Sequence, residues 1–359
     1  MMFCLLCGSE MQMLLDMPRF PITEKYEPWE KTFEEGRGLV DQSFYYCEAC
    51  SHGQLGTIIP NLYDSDYRTR TSLSDGARQA VSRFHYFIHK HSQPRKVHID
   101  IGGNDGEMGK YFPGVIVVDP HAVAGVKATI EEADLSGFKN EPKIIMSSHT
   151  IEHLANPEVM IAKCSEVMRD DDYLALQFPS MELLVEDGRI DHIHHQHIHY
   201  FSQSSISQLL ARHGLTVKSY AFDYQHWGAL MLIAQKNGKV SDGPKVLAYR
   251  FAWQCDDFVY RMRRMKIPKG SIALGAALML PVLSYWMPEL QNVDEIADDD
   301  ANKNGLRYIN FNKRITNNYR LFGRDVVITA IGTKEATRKL TKRAIDAGAR
   351  RVILPMHTI

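Results

Sequence analysis

The sequence predicts an α/β protein: a doubly wound, Rossmann-like core between an N-terminal metal-binding lobe and a smaller C-terminal α/β domain. Three observations predict it. Val97 to Asp119 reads as a buried strand, a glycine-rich turn and a second strand ending in an acidic residue, the front half of a nucleotide-binding unit. Strand-like and helix-like stretches then alternate to Ala234, and again from Ser271 to Leu354, as parallel α/β units require. Four of the six cysteines fall in two CxxC pairs ahead of both. The corresponding division is residues 1–75, 76–240 and 241–359.

At 359 residues and 44% hydrophobic content, the chain has material for a sizeable core. The 42 basic and 43 acidic side chains nearly cancel, which leaves no global field to draw nucleic acid or an anionic membrane. No apolar run approaches the roughly 18 to 20 residues of a membrane span, and the first residues lack the pattern of a signal segment. A cytoplasmic protein is expected.

Cys4 and Cys7, then Cys47 and Cys50, have the form of two zinc knuckles. Gly8 follows the first and Ser51-His52-Gly53 the second, as turn residues should. Four thiolates complete a closed, structural site with no position open for catalysis. The 39 intervening residues exceed zinc-ribbon spacing and should form their own lobe, one in which Pro18, Pro21 and Pro28 interrupt a sparse apolar pattern. Cys164 and Cys255 are expected to be buried free thiols.

Ala77, Ala80, Val81, Phe84, Phe87 and Ile88 have helical spacing and predict a core-facing helix before the first strand. Val97 to Ile101 is that strand, and the Gly102-Gly103-x-x-Gly106 turn follows it. Asp100 stands where a carboxylate meets an amine-bearing ligand, or else caps the next turn. Asp119, about 20 residues on, closes the second strand at the position expected for ribose recognition. Lys143 to Met146 is the third strand, and His149, Glu152 and His153 lie in the loop at its carboxyl end, where open sheets keep their ligands. A helix after Pro157 and a strand from Tyr173 to Phe178 come next. Asp191 to Ser202 then holds five histidines in eight residues: 192, 194, 195, 197 and 199. Such a cluster suits acid–base work better than one metal, because these positions share no single strand or helix face, and at least two should only hydrogen-bond within a loop. Ser202 caps a helix that Gly214 ends, and strands near 216–220 and 229–234 close the sheet.

Taken together, these segments resemble the class I S-adenosylmethionine-dependent methyltransferases, and more narrowly the sugar C-methyltransferases. The carrying pieces are CLLC and CEAC, LYDSDYRTR, IDIGGNDG, VVDP, HTIEHLANP and DHIHHQHIHYFS, spread over almost the whole chain. The resemblance implies S-adenosylmethionine as cofactor and a structural Zn2+ in the N-terminal lobe. It places Asp100, Gly102, Gly103, Asn104, Asp105, Gly106 and His149 around the cofactor, with Asp119 on its ribose. On the substrate side it implies Tyr63 or Tyr67, His153, and the quartet His194, His195, Gln196 and His197. In that quartet the family's tyrosine and glutamate are replaced by His194 and Gln196, and the base position, His197, is kept. The implied reaction is C-methylation of a nucleotide-linked sugar beside a keto group, with O- or N-methylation of a related small molecule, a binding or assembly role without chemistry, or a metal-dependent histidine site as alternatives. In the C-terminal domain the family's later glycine and lysine are missing from GAALML, so that domain is expected to act as a scaffold.

Overall fold

The structure, a computed structural model, describes residues 1–60, 62, 70–225, 228–236 and 246–356. The chain divides into two compact units. The first comprises Met1–Met13, Tyr45–Asp187 and His197–Arg250, and the second Leu14–Phe44, Gly188–Gln196 and Phe251–Ile359. Both are assembled from segments distant in sequence, so the N-terminal lobe is shared out: its cysteines go with the first unit and residues 14–44 with the second.

The first unit is built on six strands: β1 (Val97–Ile101), β2 (Ile116–Val118), β3 (Lys143–Ser148), β4 (Tyr173–Pro179), β5 (Leu215–Asp223) and β6 (Ala229–Lys236), in the order β5-β6-β4-β3-β1-β2. β2, β1, β3 and β4 run parallel, while β6 is antiparallel to β4 and β5 to β6. A parallel sheet needs cover on both faces, and alternation along each strand supplies apolar residues to both. Ile144, Met146, Tyr173 and Ala175 meet Val81, Phe84, Phe87 and Ile88 of helix α1 (Asp75–His91). Ile145, Leu174 and Leu176 point the other way, into a core shared with α2 (Pro157–Val167) and α3 (Gln203–Arg212). Caps fix where these helices begin: Ser74 Oγ accepts from Ala77 N, Asn156 from Glu158 N, and Ser202 forms a reciprocal capping box with Ser205.

Beneath the sheet's start, Lys143 and Asp172 form an ion pair of 2.7 Å with both side chains fully buried. Lys143 Nζ also donates to Val167 O, and Asp172 accepts from the backbone of Lys143 and Arg169, so both charges are hydrogen-bonded. At the other end, consecutive strands leave β1 in opposite directions, β2 to one side and β3 to the other. Open α/β sheets keep their ligands outside the carboxyl ends of the strands at such a switch point.

The second unit holds a five-stranded, all-parallel sheet in the order 315–316, 293–297, 271–274, 325–328 and 351–353. After its central strand, Gly275 adopts φ 107° and a Cβ there would stand 2.5 Å from that of Ala330. The strand end is closed by its own residues, since Asp298 Oδ2 accepts from Ala276 N at 2.6 Å and Lys303 Nζ donates to Ala276 O. A separate antiparallel pair, Leu306–Tyr308 with Tyr26–Pro28, is tied by a buried Arg307–Glu27 ion pair. Among the described residues no helix is long and apolar enough to cross a membrane.

Candidate active site

The glycine turn follows β1 at the switch point. Gly102 has φ 72°, and a Cβ at this position would overlap the hydroxyl of Thr150, so glycine is required twice over. Gly103 lacks a positive φ, but a Cβ there would come within 2.5 Å of Asp100 Oδ2. Asn104 (φ 50°) and Gly106 (φ 81°) complete the turn. Asp119 grips it, with Oδ2 accepting from Asn104 N at 3.0 Å and Oδ1 from His121 N at 2.6 Å. Asp100, only 4% exposed, is pushed up to about 7 by burial and then by the charge of Asp119. Asp100, Gly102, Gly103, Asn104, Gly106 and Asp119 are therefore brought together. Asp105 turns instead to Ser72, accepting from its hydroxyl at 2.6 Å and its backbone N–H at 3.2 Å.

Thr150, packed on Gly102, leads directly into a second group of side chains. His149 sits in the left-handed region (φ 52°), its N–H donating to Gln177 O, and its Nδ1 lies 3.3 Å from Glu152 Oε1. Glu152 is buried in the 3-10 turn Ile151–His153, with His153 Nε2 3.8 Å from the same oxygen. The His153 and His197 rings are 4.9 Å apart between centroids. Ile198 N donates to Glu152 O at 2.8 Å, which ties the segment carrying His197 to this turn. Sequence reasoning gave Glu152 a place but no role. Its adjacency to His153 was visible, whereas its burial and its approach to His197 come from the fold.

The remaining histidines part company. His195, Gln196 and His194 belong to the second unit and His197 to the first. His195 Nε2 donates to Phe20 O and Nδ1 accepts from Gln42 Nε2, both at 3.1 Å, so a neutral tautomer is held in place, and burial pushes its pKa down. Gln196 Nε2 donates to Glu24 Oε2 at 3.1 Å. His199 shares a 3.0 Å hydrogen bond with His52 and is held near 4 by burial. His192 is held near 3 by burial and by Arg189, despite Asp191 beside it. His194 is buried. Tyr63 and Tyr67, the expected substrate tyrosines, lie outside the described residues.

In the first unit the four cysteine sulfurs converge, with Cys4 and Cys50 3.7 Å apart, Cys7 and Cys47 3.5 Å apart, and all four within 4.8 Å of one another. Ligands about 2.3 Å from a tetrahedral zinc stand about 3.8 Å apart, so the donor set fits a metal ion. The two knuckles are built alike: the fifth residue of each, Gly8 (φ 73°) and Ser51 (φ 59°), donates back to the carbonyl of the first cysteine. Burial holds the Cys47 thiol up at about 11, while Cys4 and Cys50 share one hydrogen bond that lowers Cys4 to about 5 and raises Cys50, so the pair holds one proton between two sulfurs. Cys164 and Cys255 are buried free thiols raised to about 12.

Residues 73–220 match the model of a methyltransferase domain. The matched stretch takes in the strand switch and the acidic residue after β2, so the chain carries a methyltransferase domain. Solved structures with a similar fold include a putative S-adenosylmethionine-dependent methyltransferase from Listeria monocytogenes (12% identity, 44% of this chain and 100% of that one, TM-score 0.34). A possible histamine N-methyltransferase from Thermotoga maritima aligns at 16% identity over 44% of this chain and 92% of its own (TM-score 0.36). The 1,6-didemethyltoxoflavin N1-methyltransferase of Burkholderia thailandensis, solved with its substrate and S-adenosylhomocysteine, aligns at 13% identity over 54% of this chain and 99% of its own (TM-score 0.37). No curated protein matches the chain.

Proposed function

We propose that this methyltransferase acts on a nucleotide-linked sugar, at a carbon beside a keto group, and that acceptor activation takes place at Glu152, His153 and His197. The observation that carries this reading is the approach of a buried carboxylate to two imidazoles, one loop away from the cofactor turn. The carboxylate missing at Gln196 is thereby supplied by Glu152, from a different part of the chain. In the simplest form of the reaction His197 takes the α-proton and His153 donates to the developing enolate oxygen. The α-carbon then attacks the methyl group in line, and the carbon–sulfur bond breaks with its electron pair left on sulfur.

For the cofactor, Asp119 is assigned to the ribose hydroxyls, and Asp100 and Gly102 to the methionine end. When bound, S-adenosylmethionine supplies the electrophilic methyl group, and the four cysteines hold a structural zinc. The free thiols suit a reducing compartment, in keeping with a cytoplasmic enzyme.

The test is to incubate the protein with S-adenosylmethionine carrying a 13C-labelled methyl group and a panel of keto-sugar nucleotides, and to follow the product by NMR. A new carbon-bound methyl, lost with His197→Ala while S-adenosylhomocysteine still binds, is the expected result. A methyl on oxygen or nitrogen would replace the C-methylation reading. Failure of S-adenosylhomocysteine to bind at all would remove the functional reading at its root.

A further inference from the structure

We propose that Glu152, His153 and His197 form a binding site for one divalent transition-metal ion, distinct from the four-cysteine cluster. One ligand-type atom from each residue lies within 4.8 Å of the other two. Ligands about 2.0–2.2 Å from an ion stand roughly 3 to 4.4 Å apart, so small side-chain rotations would close the three on it. Two imidazoles and a carboxylate suit Fe2+, Mn2+, Co2+ or Zn2+, and three protein ligands leave positions open for a substrate oxygen.

An independent observation concerns Glu152 itself. The residue is 1% exposed, and neither carboxylate oxygen accepts a hydrogen bond among the described residues. A buried carboxylate whose imidazole neighbours stand at ion-pair distance but outside hydrogen-bond geometry is costly unless a cation faces it. His149 Nδ1, at 3.3 Å from Glu152 Oε1, is placed as the outer partner that aims a ligating carboxylate. The 2.8 Å bond from Ile198 N to Glu152 O holds the two ligand-bearing segments together before any ion arrives.

What the ion does rests on the reading above. A metal at this cluster would hold the acceptor's oxygen and stabilise its negative charge, the task otherwise given to His153. His153 and His197 would then be ligands, with His197 no longer a free base. Metal occupancy thus decides whether the cluster works by acid–base or by Lewis-acid chemistry.

The experiment uses the full chain with its cysteine cluster loaded with zinc, titrated with Mn2+ and followed by electron paramagnetic resonance. Mn2+ is chosen because thiolate sites do not favour it. One Mn2+ per chain is expected, with binding weakened by Glu152→Gln by at least the roughly 10- to 100-fold that loss of a mere outer partner causes. His197→Gln should do the same and carries the test if the first variant does not fold. Absence of uptake of both Mn2+ and Co2+ at millimolar ion, beyond what the cysteines hold, would overturn the proposal. So would uptake that neither variant changes. Calorimetry with S-adenosylhomocysteine on the same samples separates the two claims: cofactor binding with uptake of neither Mn2+ nor Co2+ rejects only the ion, and Mn2+ uptake without cofactor binding rejects only the methyltransferase reading.

Discussion

Replacing Asp100 by asparagine should make the first unit more stable at neutral pH and poorer at binding its cofactor. Asp100, the last residue but one of β1, is almost wholly buried, and burial, followed by the charge of Asp119, raises its pKa from 3.8 to about 7. In the unfolded chain the group returns to about 3.9. A difference of about three pH units, at roughly 1.4 kcal/mol each, amounts to about 4 kcal/mol. The sign follows from which state holds the proton. Between about pH 4 and pH 7 the folded protein keeps a proton that the unfolded chain has released, so this group's contribution is complete below pH 4 and is lost as the pH rises through 7. Asparagine does not ionise and escapes that loss. The stability difference between Asp100→Asn and wild type should therefore grow from pH 4 to pH 8 by up to about 4 kcal/mol, read from urea unfolding at several pH values. Cofactor binding should show the opposite face of the same coupling. A cationic ligand group beside Asp100 favours the carboxylate, so wild-type affinity for S-adenosylmethionine should fall about tenfold per pH unit below 7, and the variant's should not. A stability difference that stays flat across this range would refute the argument.

Other perturbations have equally definite outcomes. Asp172→Ala leaves Lys143 charged in the core and should cost about 3–5 kcal/mol in urea unfolding, whereas the double change Lys143→Met with Asp172→Leu should be close to neutral. Gly102→Ala adds about 1–2 kcal/mol of left-handed backbone strain to an overlap with Thr150, and calorimetry should show affinity for S-adenosylhomocysteine reduced at least tenfold. Cys47→Ser should abolish zinc retention by metal analysis and lower the melting temperature, and Cys164→Ala should leave the zinc content unchanged. His195→Ala breaks two buried hydrogen bonds and should cost about 1–3 kcal/mol of stability, while His197→Ala should abolish methyl transfer and leave binding of S-adenosylhomocysteine in place.

The local code of the core was plain in the chain. The apolar spacing of α1, Asn156 and Ser202 at their helix starts, and Gly102 and Gly106 in the turn all act over a few residues, and the elements form where those signals stand. The cysteine pairs were equally legible, because each knuckle is a local turn. The histidine run was not, because five neighbours in sequence face three different surroundings. His195 meets Gln42 and Phe20, His199 meets His52, and His197 meets His153. The two compact units each take segments from both halves of the chain, and no composition shift marks a chain that leaves a unit and returns.

Sequence alone determined the order of elements, the glycine turn with Asp119 after it, and the two knuckles Cys4–Cys7 and Cys47–Cys50, since hydrophobic period, backbone permissiveness and ligand spacing are short-range properties. Tertiary structure alone decided that Asp100 would be buried enough to hold its proton and that a buried Glu152 would meet His153 and His197. Those outcomes depend on desolvation and on contacts across more than forty positions of chain, which a side chain acquires only from neighbours that folding brings to it.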